Sequence, residues 1–302
     1  MVLTYFEIGR MIVEEEQKGK DRAEYGQQLI NELSNRLSTE FGKGFSPTNI
    51  KQMRSFFLIY SKGQTVSDEF NLSWSHYLKL MRIKDENERR FYEIETYKNN
   101  WSLRELQRQY DSALYARLAL SRDKKKVIEL SEQGLIIEKP KDAIKDPYVL
   151  EFIGLPEHPS YSESDLEQKL INKLEHFLLE LGTGFTFVAR QKRITFDEKH
   201  FRIDLVFYNR ILKCFVLIDL KIGELKHQDI GQMQMYVNYY DREIKLNDEN
   251  LTVGLILCQN KSEAVVEYTL PENNQQIFAS KYQTVLPSKE RLKQLIENKD
   301  EE

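Results

Sequence analysis

Two apolar stretches in the second half of the chain each carry one acidic residue near the middle. They cover residues 201–208 and 214–220 and are rich in β-branched and aromatic residues, as buried strands are, yet Asp204 interrupts the first and Asp219 the second. Lys221 follows the second acid by two residues and therefore shares its face of the strand. An ionised carboxylate in an apolar strand is costly unless it is paired or binds a cation. The pattern predicts a hairpin whose acids bind a metal ion.

The length of the hairpin loop decides whether the two acids meet. A two-residue turn at Asn209 and Arg210 would offset them by four residues, roughly 13 Å at ~3.3 Å per residue. A four-residue loop, 210–213, would place Asp204 directly opposite Asp219, with Cβ atoms about 5 Å apart. Because only the second arrangement lets both acids bind one cation, we predict that loop.

Hydrophobic periodicity around the hairpin predicts an α/β unit. Residues 162–181 have apolar positions at helical spacing and are followed by Gly182, a helix-ending residue. Then come a predicted strand at 185–196, the hairpin, a helix at 227–241 and a strand at 252–259. The predicted order is α-β-β-β-α-β, with a mixed central sheet flanked by helices.

The first half of the chain is predicted to be entirely helical. Apolar spacing and capping residues predict helices at 4–18, 22–41, 47–60, 73–81, 86–98, 103–120 and 124–132. The short turn 42–45 is compatible with a helix-turn-helix, in which Asn49, Lys51 and Arg54 would contact nucleic acid. A short turn between any two amphipathic helices of a bundle has the same pattern, so both interpretations remain open.

Prolines mark the boundary between the two halves. Residues 139–161 contain four prolines and neither a helical nor an alternating pattern, which predicts a linker. The expected domains are a helical N-terminal domain at 1–138 and an α/β domain at 162–302, with a polar helix at 288–302.

Composition and charge narrow the function classes. The 302-residue chain has a net charge of −4, which argues against nonspecific binding to nucleic acid. Its apolar stretches are too short to span a membrane, and no secretory leader is evident, so we expect a cytoplasmic protein. A local basic strand, Arg190, Lys192 and Arg193, is a candidate nucleic-acid contact, although a solvated strand edge would have the same composition.

The acids and the lysine suit hydrolysis of a phosphodiester. Two carboxylates can hold Mg²⁺ or Mn²⁺, whose bound water becomes more acidic. Lys221 could orient that water or stabilise the developing negative charge.

Four segments resemble the PD-(D/E)xK nuclease superfamily: Arg202–Tyr208, Phe215–Gly223, Gly231–Tyr236 and Val253–Cys258. Their order and spacing resemble one family of two-domain bacterial nucleases with a helical, winged-helix-like N-terminal domain of unknown function. Ile203 departs from the pattern, standing where the superfamily name has proline. Family members also carry residues ahead of the point where this chain begins, which makes a truncated N-terminal domain an expectation.

The resemblance implies a fold, a cofactor and site residues. It implies an α/β nuclease core after an all-α, helix-turn-helix-like domain, Mg²⁺ or Mn²⁺ as cofactor, and DNA as substrate, with RNA as the other candidate. A homodimer or a protein partner bound through the N-terminal domain is a further expectation. The implied catalytic residues are Asp204, Asp219, Lys221, Glu167 and Gln232, the metal ligands are Asp204, Asp219, Leu220 and Glu167, and Tyr236 would contact nucleic acid.

Two alternatives remain open. Ser164 and Glu167 fit a capping box, in which the glutamate would only satisfy the start of a helix. The whole chain could also be a catalytically inactive nuclease fold that binds nucleic acid or a protein partner.

Overall fold

The computed structural model describes residues 1–18, 23–61, 70–120, 124–157, 161–286 and 288. The chain forms two compact units, Met1–Gln107 and Arg108–Glu302. Apart from Ser288, the predicted tail helix lies outside the described residues. No helix in the described ranges is long and apolar enough to cross a membrane.

The first unit is helical, as predicted. Ser46 begins the third helix by accepting a hydrogen bond from the Asn49 backbone N–H at 3.3 Å, and Asp85 caps the fifth in the same way. Buried Ile12, Ile30 and Met53 pack in its core. The helices are α1 (Val2–Lys18), α2 (Ala23–Phe41), α3 (Pro47–Tyr60), α4 (Trp74–Leu80), α5 (Glu86–Lys98) and α6 (Leu103–Asp111), the last crossing the unit boundary.

The single helix predicted at 103–120 is two helices. Ala113 has a left-handed φ of 51°, which ends the regular path after α6. The second unit therefore continues with α7 (Leu114–Leu120), α8 (Lys124–Gln133), α9 (Pro140–Ala143), α10 (Glu163–Asn172), α11 (Leu174–Leu181), α12 (His227–Tyr239) and α13 (Glu263–Thr269).

A mixed six-stranded sheet lies at the centre of the second unit. Its strands are β1 (Tyr148–Val149), β2 (Phe185–Phe196), β3 (Lys199–Asn209), β4 (Cys214–Glu224), β5 (Val253–Asn260) and β6 (Ile277–Gln283). They lie in the order β1-β6-β5-β4-β3-β2, antiparallel from β2 to β4 and parallel from β4 to β1. One core lies between the sheet and α10 and α11, and a second lies under α12. The predicted fold class is confirmed.

The segment predicted as a linker belongs partly to the sheet. Tyr148 and Val149 pair with the end of β6, and both are fully buried. The prediction of an unstructured linker at 139–161 was wrong for these residues, because the prolines flank a strand too short to show an alternating pattern.

A buried ion pair connects this segment to the helices on either side. Glu180 and Arg117 are both fully buried, with Arg117 Nη1 2.6 Å from Glu180 Oε1. The same oxygen accepts the Val149 backbone N–H at 3.0 Å, and Arg117 Nη1 also donates to the Pro147 carbonyl. Burial alone would raise the pKa of Glu180, but Arg117 and Lys145 outweigh it and lower that pKa to about 2.

Glu180→Gln is expected to destabilise the second unit by about 3–5 kcal/mol, because it leaves the Arg117 charge buried and unpaired. Denaturant unfolding at neutral pH measures this. Since the folded pKa lies below the ordinary 4.5, the contribution is present above that value and is lost as the pH falls toward 2, so the difference between parent and variant should shrink in acid. Glu14→Gln, in an exposed pair with Arg10, is the control. Equal stability of parent and Glu180→Gln at neutral pH would contradict the prediction.

Candidate active site

The hairpin between β3 and β4 has the predicted four-residue loop, 210–213. Asn209 pairs with Cys214, and its side-chain oxygen accepts the backbone N–H groups of Ile211 and Leu212 at 3.0 and 3.1 Å. The paired ladder ends at Leu205 and Ile218. In that register the next facing positions are Asp204 and Asp219, so the two acids lie side by side where the strands stop pairing.

Each aspartate has a different environment. Asp204 is partly buried, and its Oδ2 accepts the Leu220 backbone N–H at 2.8 Å. Asp219 is 2% exposed, and its Oδ2 lies 2.9 Å from Lys221 Nζ, although the contact lacks hydrogen-bond geometry. The hairpin therefore holds the first acid by its own backbone and the second by an ion pair.

The predicted helical acid, Glu167, is adjacent to this pair. It is buried, and its Oε2 accepts a hydrogen bond of 2.5 Å from Gln191 Nε2, which also donates to Asp204 Oδ1 at 3.1 Å. The capping box of α10 is formed instead by Ser162 and Asp165. The capping alternative for Glu167 was therefore wrong, because the N-cap is Ser162, two residues before the Ser164 on which that alternative depended.

Burial and mutual repulsion set the electrostatics of the cluster. Burial, reinforced by the nearby charge of Asp204, raises the pKa of Asp219, while Lys221 opposes the shift. Burial also raises the pKa of Glu167. For Lys221, burial lowers the pKa, but the Asp219 carboxylate outweighs it and raises the pKa above its ordinary range. The three carboxylates are therefore short of positive charge.

The donor chemistry fits a hard divalent cation. Glu167 Oε1 and Asp219 Oδ2 are buried oxygens that accept no hydrogen bond, and oxygen is the ligand that Mg²⁺ takes. Leu220 could contribute only its carbonyl oxygen, since its N–H is bonded to Asp204. In the described part of the chain, no three His, Cys, Asp or Glu side chains are already grouped closely enough to hold a metal. Binding would require the acids to draw together.

Gln232 and Tyr236 connect α12 to the strand that carries Asp204. Gln232 Nε2 donates to the Tyr236 hydroxyl, which donates to the Arg202 carbonyl at 2.9 Å. The Tyr236 side chain is fully buried, so its predicted contact with nucleic acid does not fit this structure. These side chains position β3 two residues before Asp204.

The three basic residues of β2 that were predicted to contact nucleic acid have different environments. Arg190 is held by α10: its Nη1 donates to Gln168 at 3.1 Å and its Nε lies 3.7 Å from Glu167 Oε1. Lys192 and Arg193 are exposed.

In the first unit, two of the three side chains predicted to contact nucleic acid bind other side chains of the same unit instead. Asn49 accepts the Trp74 indole N–H at 2.9 Å, and Arg54 Nε lies 2.7 Å from Glu16. These side chains hold α3 in place, which the sequence pattern did not reveal. Lys51 is exposed.

Two residues near the acids were missed. Gln191 stands between Arg190 and Lys192, and this basic pattern predicts a charged surface rather than a contact with the acids. Glu163 lies one helical turn before Glu167; its Oε1 accepts the Ile222 backbone N–H at 3.2 Å, and its Oε2 lies 4.0 Å from Lys221 Nζ. The spacing of Glu163 and Glu167, i and i+4 on one helix, was the signal in the sequence that could have identified Glu163.

The two halves of the chain match two family descriptions. Residues 141–297 match "YhcG PDDEXK nuclease domain" and residues 1–117 match "DUF1016 N-terminal domain". A curated relative from Escherichia coli (strain K12), named "Putative nuclease YhcG", is 40% identical over 97% of this chain and 85% of its own length.

Solved structures show only a slight likeness. A repair endonuclease from Pyrococcus abyssi is 16% identical over 44% of this chain and 50% of its own, with a TM-score of 0.29. A structure titled "Structure of EndoMS-dsDNA2 complex" is 15% identical over 44% and 49%, with a TM-score of 0.30. The chain thus spans about half the length of each, and a likeness this slight says nothing about activity.

Gln191→Ala is expected to destabilise the metal-free protein by about 1–3 kcal/mol, because two carboxylates lose their shared donor. Gln191 has a left-handed φ of 47°, so Gln191→Gly should recover about 1 kcal/mol of the loss by removing backbone strain. Denaturant unfolding in a chelator measures both. Gln28→Ala, in the exposed hydrogen bond to Glu32 on α2, is the control. A Gln191→Ala protein as stable as the parent would show that the amide does not support the acids.

Proposed function

Because the chain belongs to the YhcG family of PDDEXK nuclease domains preceded by a DUF1016 N-terminal domain, we propose that it is a metal-dependent nuclease that hydrolyses phosphodiester bonds of DNA. The observation that supports this most is the meeting of Asp204 and Asp219 at the end of one ladder with Lys221 2.9 Å from the second acid.

The acids are proposed to bind Mg²⁺ or Mn²⁺. Asp204 and Asp219 would be ligands, with Glu167 and the Leu220 carbonyl completing the protein's share. When bound, the cation supplies a more acidic water and neutralises charge on the phosphoryl group. Gln191 already holds Glu167 and Asp204 toward the same point, which lowers the cost of bringing them together.

Lys221 is proposed to orient the attacking water and to stabilise negative charge on the phosphoryl oxygens. Its ion pair with Asp219 and the nearby Glu163 keep the amine protonated, so it acts as a fixed positive charge rather than as a base. Gln232 supports the site indirectly, through Tyr236 and the Arg202 carbonyl.

The N-terminal helices are proposed to select DNA or a partner protein. The short connection between α2 and α3 is compatible with a helix-turn-helix, and Lys51 is exposed near the start of α3.

The rival function is a nuclease fold that binds without turnover. One observation favours it: in the described residues the acids are not already grouped as a metal site. Cleavage by the purified protein separates the two functions.

Asp219→Asn is expected to lower the rate of DNA cleavage in Mg²⁺ by at least ~10²-fold, because it removes a charged ligand and the partner of Lys221. Supercoiled, linear duplex and single-stranded DNA should each be tested, by gel assay with and without a chelator. Glu175→Gln provides the matched control, since it also changes one carboxylate to an amide but lies exposed on α11. If neither the parent nor Asp219→Asn cleaves any of the three DNA forms, the rival function is favoured. If Asp219→Asn cleaves as fast as the parent, the cleavage does not depend on this acid and the proposed site is wrong.

A further inference from the structure

The hairpin formed by β2 and β3 extends beyond the rest of the sheet. Pairing between these strands continues to Phe196 and Lys199, next to the turn, whereas pairing of β3 with β4 stops at Leu205. Residues 190–196 and 199–204 therefore form a two-stranded ribbon, and no third strand from the described part of the chain lies beside it. Its base is the point where Gln191 contacts Asp204.

One face of the ribbon is anchored. Ile194 and Ile203 are buried in the core under α12, and Phe196 and Phe201 pack against the same cluster. The ring of Phe196 meets the ring of Tyr239 on α12 edge to face, at a centroid distance of 5.4 Å. Side chains alternate along a strand, so the intervening residues point to the opposite face.

That opposite face carries two arginines in direct register. Arg193 pairs with Arg202 across the ribbon, and Thr195 pairs with His200 beside them; all four are exposed. Like charges directly opposite each other destabilise a strand pair. No ion pair joins either arginine to an acid among the residues that the structure describes. Fold stability alone therefore gives no reason for this arrangement.

Hydrogen bonds prepare Arg193 to bind an anion. Its Nη2 lies 2.8 Å from His200 Nε2, and Thr195 Oγ1 lies 3.1 Å from His200 Nδ1. These contacts restrict the guanidinium without neutralising it. An anion between the two arginines would remove their repulsion and accept charge-assisted hydrogen bonds.

The position of the pair identifies the anion. Arg202 precedes Asp204 by two residues on β3, about 6.6 Å at ~3.3 Å per residue. An anion held there would lie beside the acid cluster, as the next phosphate of a bound strand would. We propose that Arg193 and Arg202 form a clamp for a backbone phosphate of a nucleic-acid strand, adjacent to the phosphodiester at the acids. The assignment of the strand as substrate rests on the proposed nuclease function.

The sheet also supplies a control. Lys199 pairs with Phe196 and so projects from the anchored face of the ribbon, whereas Lys281 lies on β6, three strands away from β3. Both are exposed. Lys199→Ala/Lys281→Ala removes two positive charges, as Arg193→Ala/Arg202→Ala does, but none from the face that carries the arginines.

Binding should be measured in a chelator, where no cleavage is needed, by fluorescence anisotropy of a labelled DNA duplex over a series of salt concentrations. The arginine double variant should bind at least ~10-fold more weakly at low salt. Its slope of log affinity against log salt should fall by about 1, because the two arginines share one phosphate. The lysine double variant should keep a slope close to that of the parent. Unchanged thermal unfolding of both variants would show that neither loss is a folding defect.

Equal losses in the two variants would overturn the clamp, because net charge alone would then explain them. Unchanged DNA binding by the arginine variant would also overturn it and would leave an acidic protein as the partner of this face. The outcome is independent of turnover: a protein that never cleaves can still show the difference, and an active nuclease can lack it.

Discussion

The register of one hairpin places two carboxylates side by side with too little positive charge around them to balance both. The arrangement of the second unit depends on that constraint. The four-residue loop and the Asn209 side chain fix the register of β3 and β4. That register puts Asp204 opposite Asp219 with apolar residues on both sides. Two like charges held this closely in a buried place are unfavourable unless neighbouring groups compensate them.

The surrounding elements supply partial compensation. Lys221 contributes a full positive charge beside Asp219, and the Leu220 N–H and the Gln191 amide contribute hydrogen bonds. The path of α10 brings a third carboxylate, Glu167, to the same amide. Because the carboxylates outnumber the donors around them, Glu167 Oε1 and Asp219 Oδ2 accept no hydrogen bond. Evolution of a purely structural core would be expected to remove such a cluster, since well-packed apolar residues would serve stability at least as well.

The elements with strong periodicity could be predicted from the sequence, and the features that depend on distant contacts could not. The helices of the first unit, β2, the hairpin loop and α12 follow from apolar spacing and turn chemistry. The short strand β1 exists only because β6 lies beside it, and a two-residue strand has no pattern of its own. Glu167 could not be assigned, because the true cap at Ser162 and Asp165 becomes visible only when the start of α10 is known. Gln191 reaches the acids through a left-handed backbone conformation that its sequence neighbours do not indicate.

The central claim is that Asp204 and Asp219 jointly bind a divalent cation. Anomalous diffraction from crystals grown with Mn²⁺ tests it most directly, because the peak locates the ion without reference to activity. The account predicts a peak within about 2.0–2.3 Å of a carboxylate oxygen of each aspartate, the range of oxygen ligands for small divalent cations. Density refined to high occupancy elsewhere, with no peak between these two side chains, would contradict it.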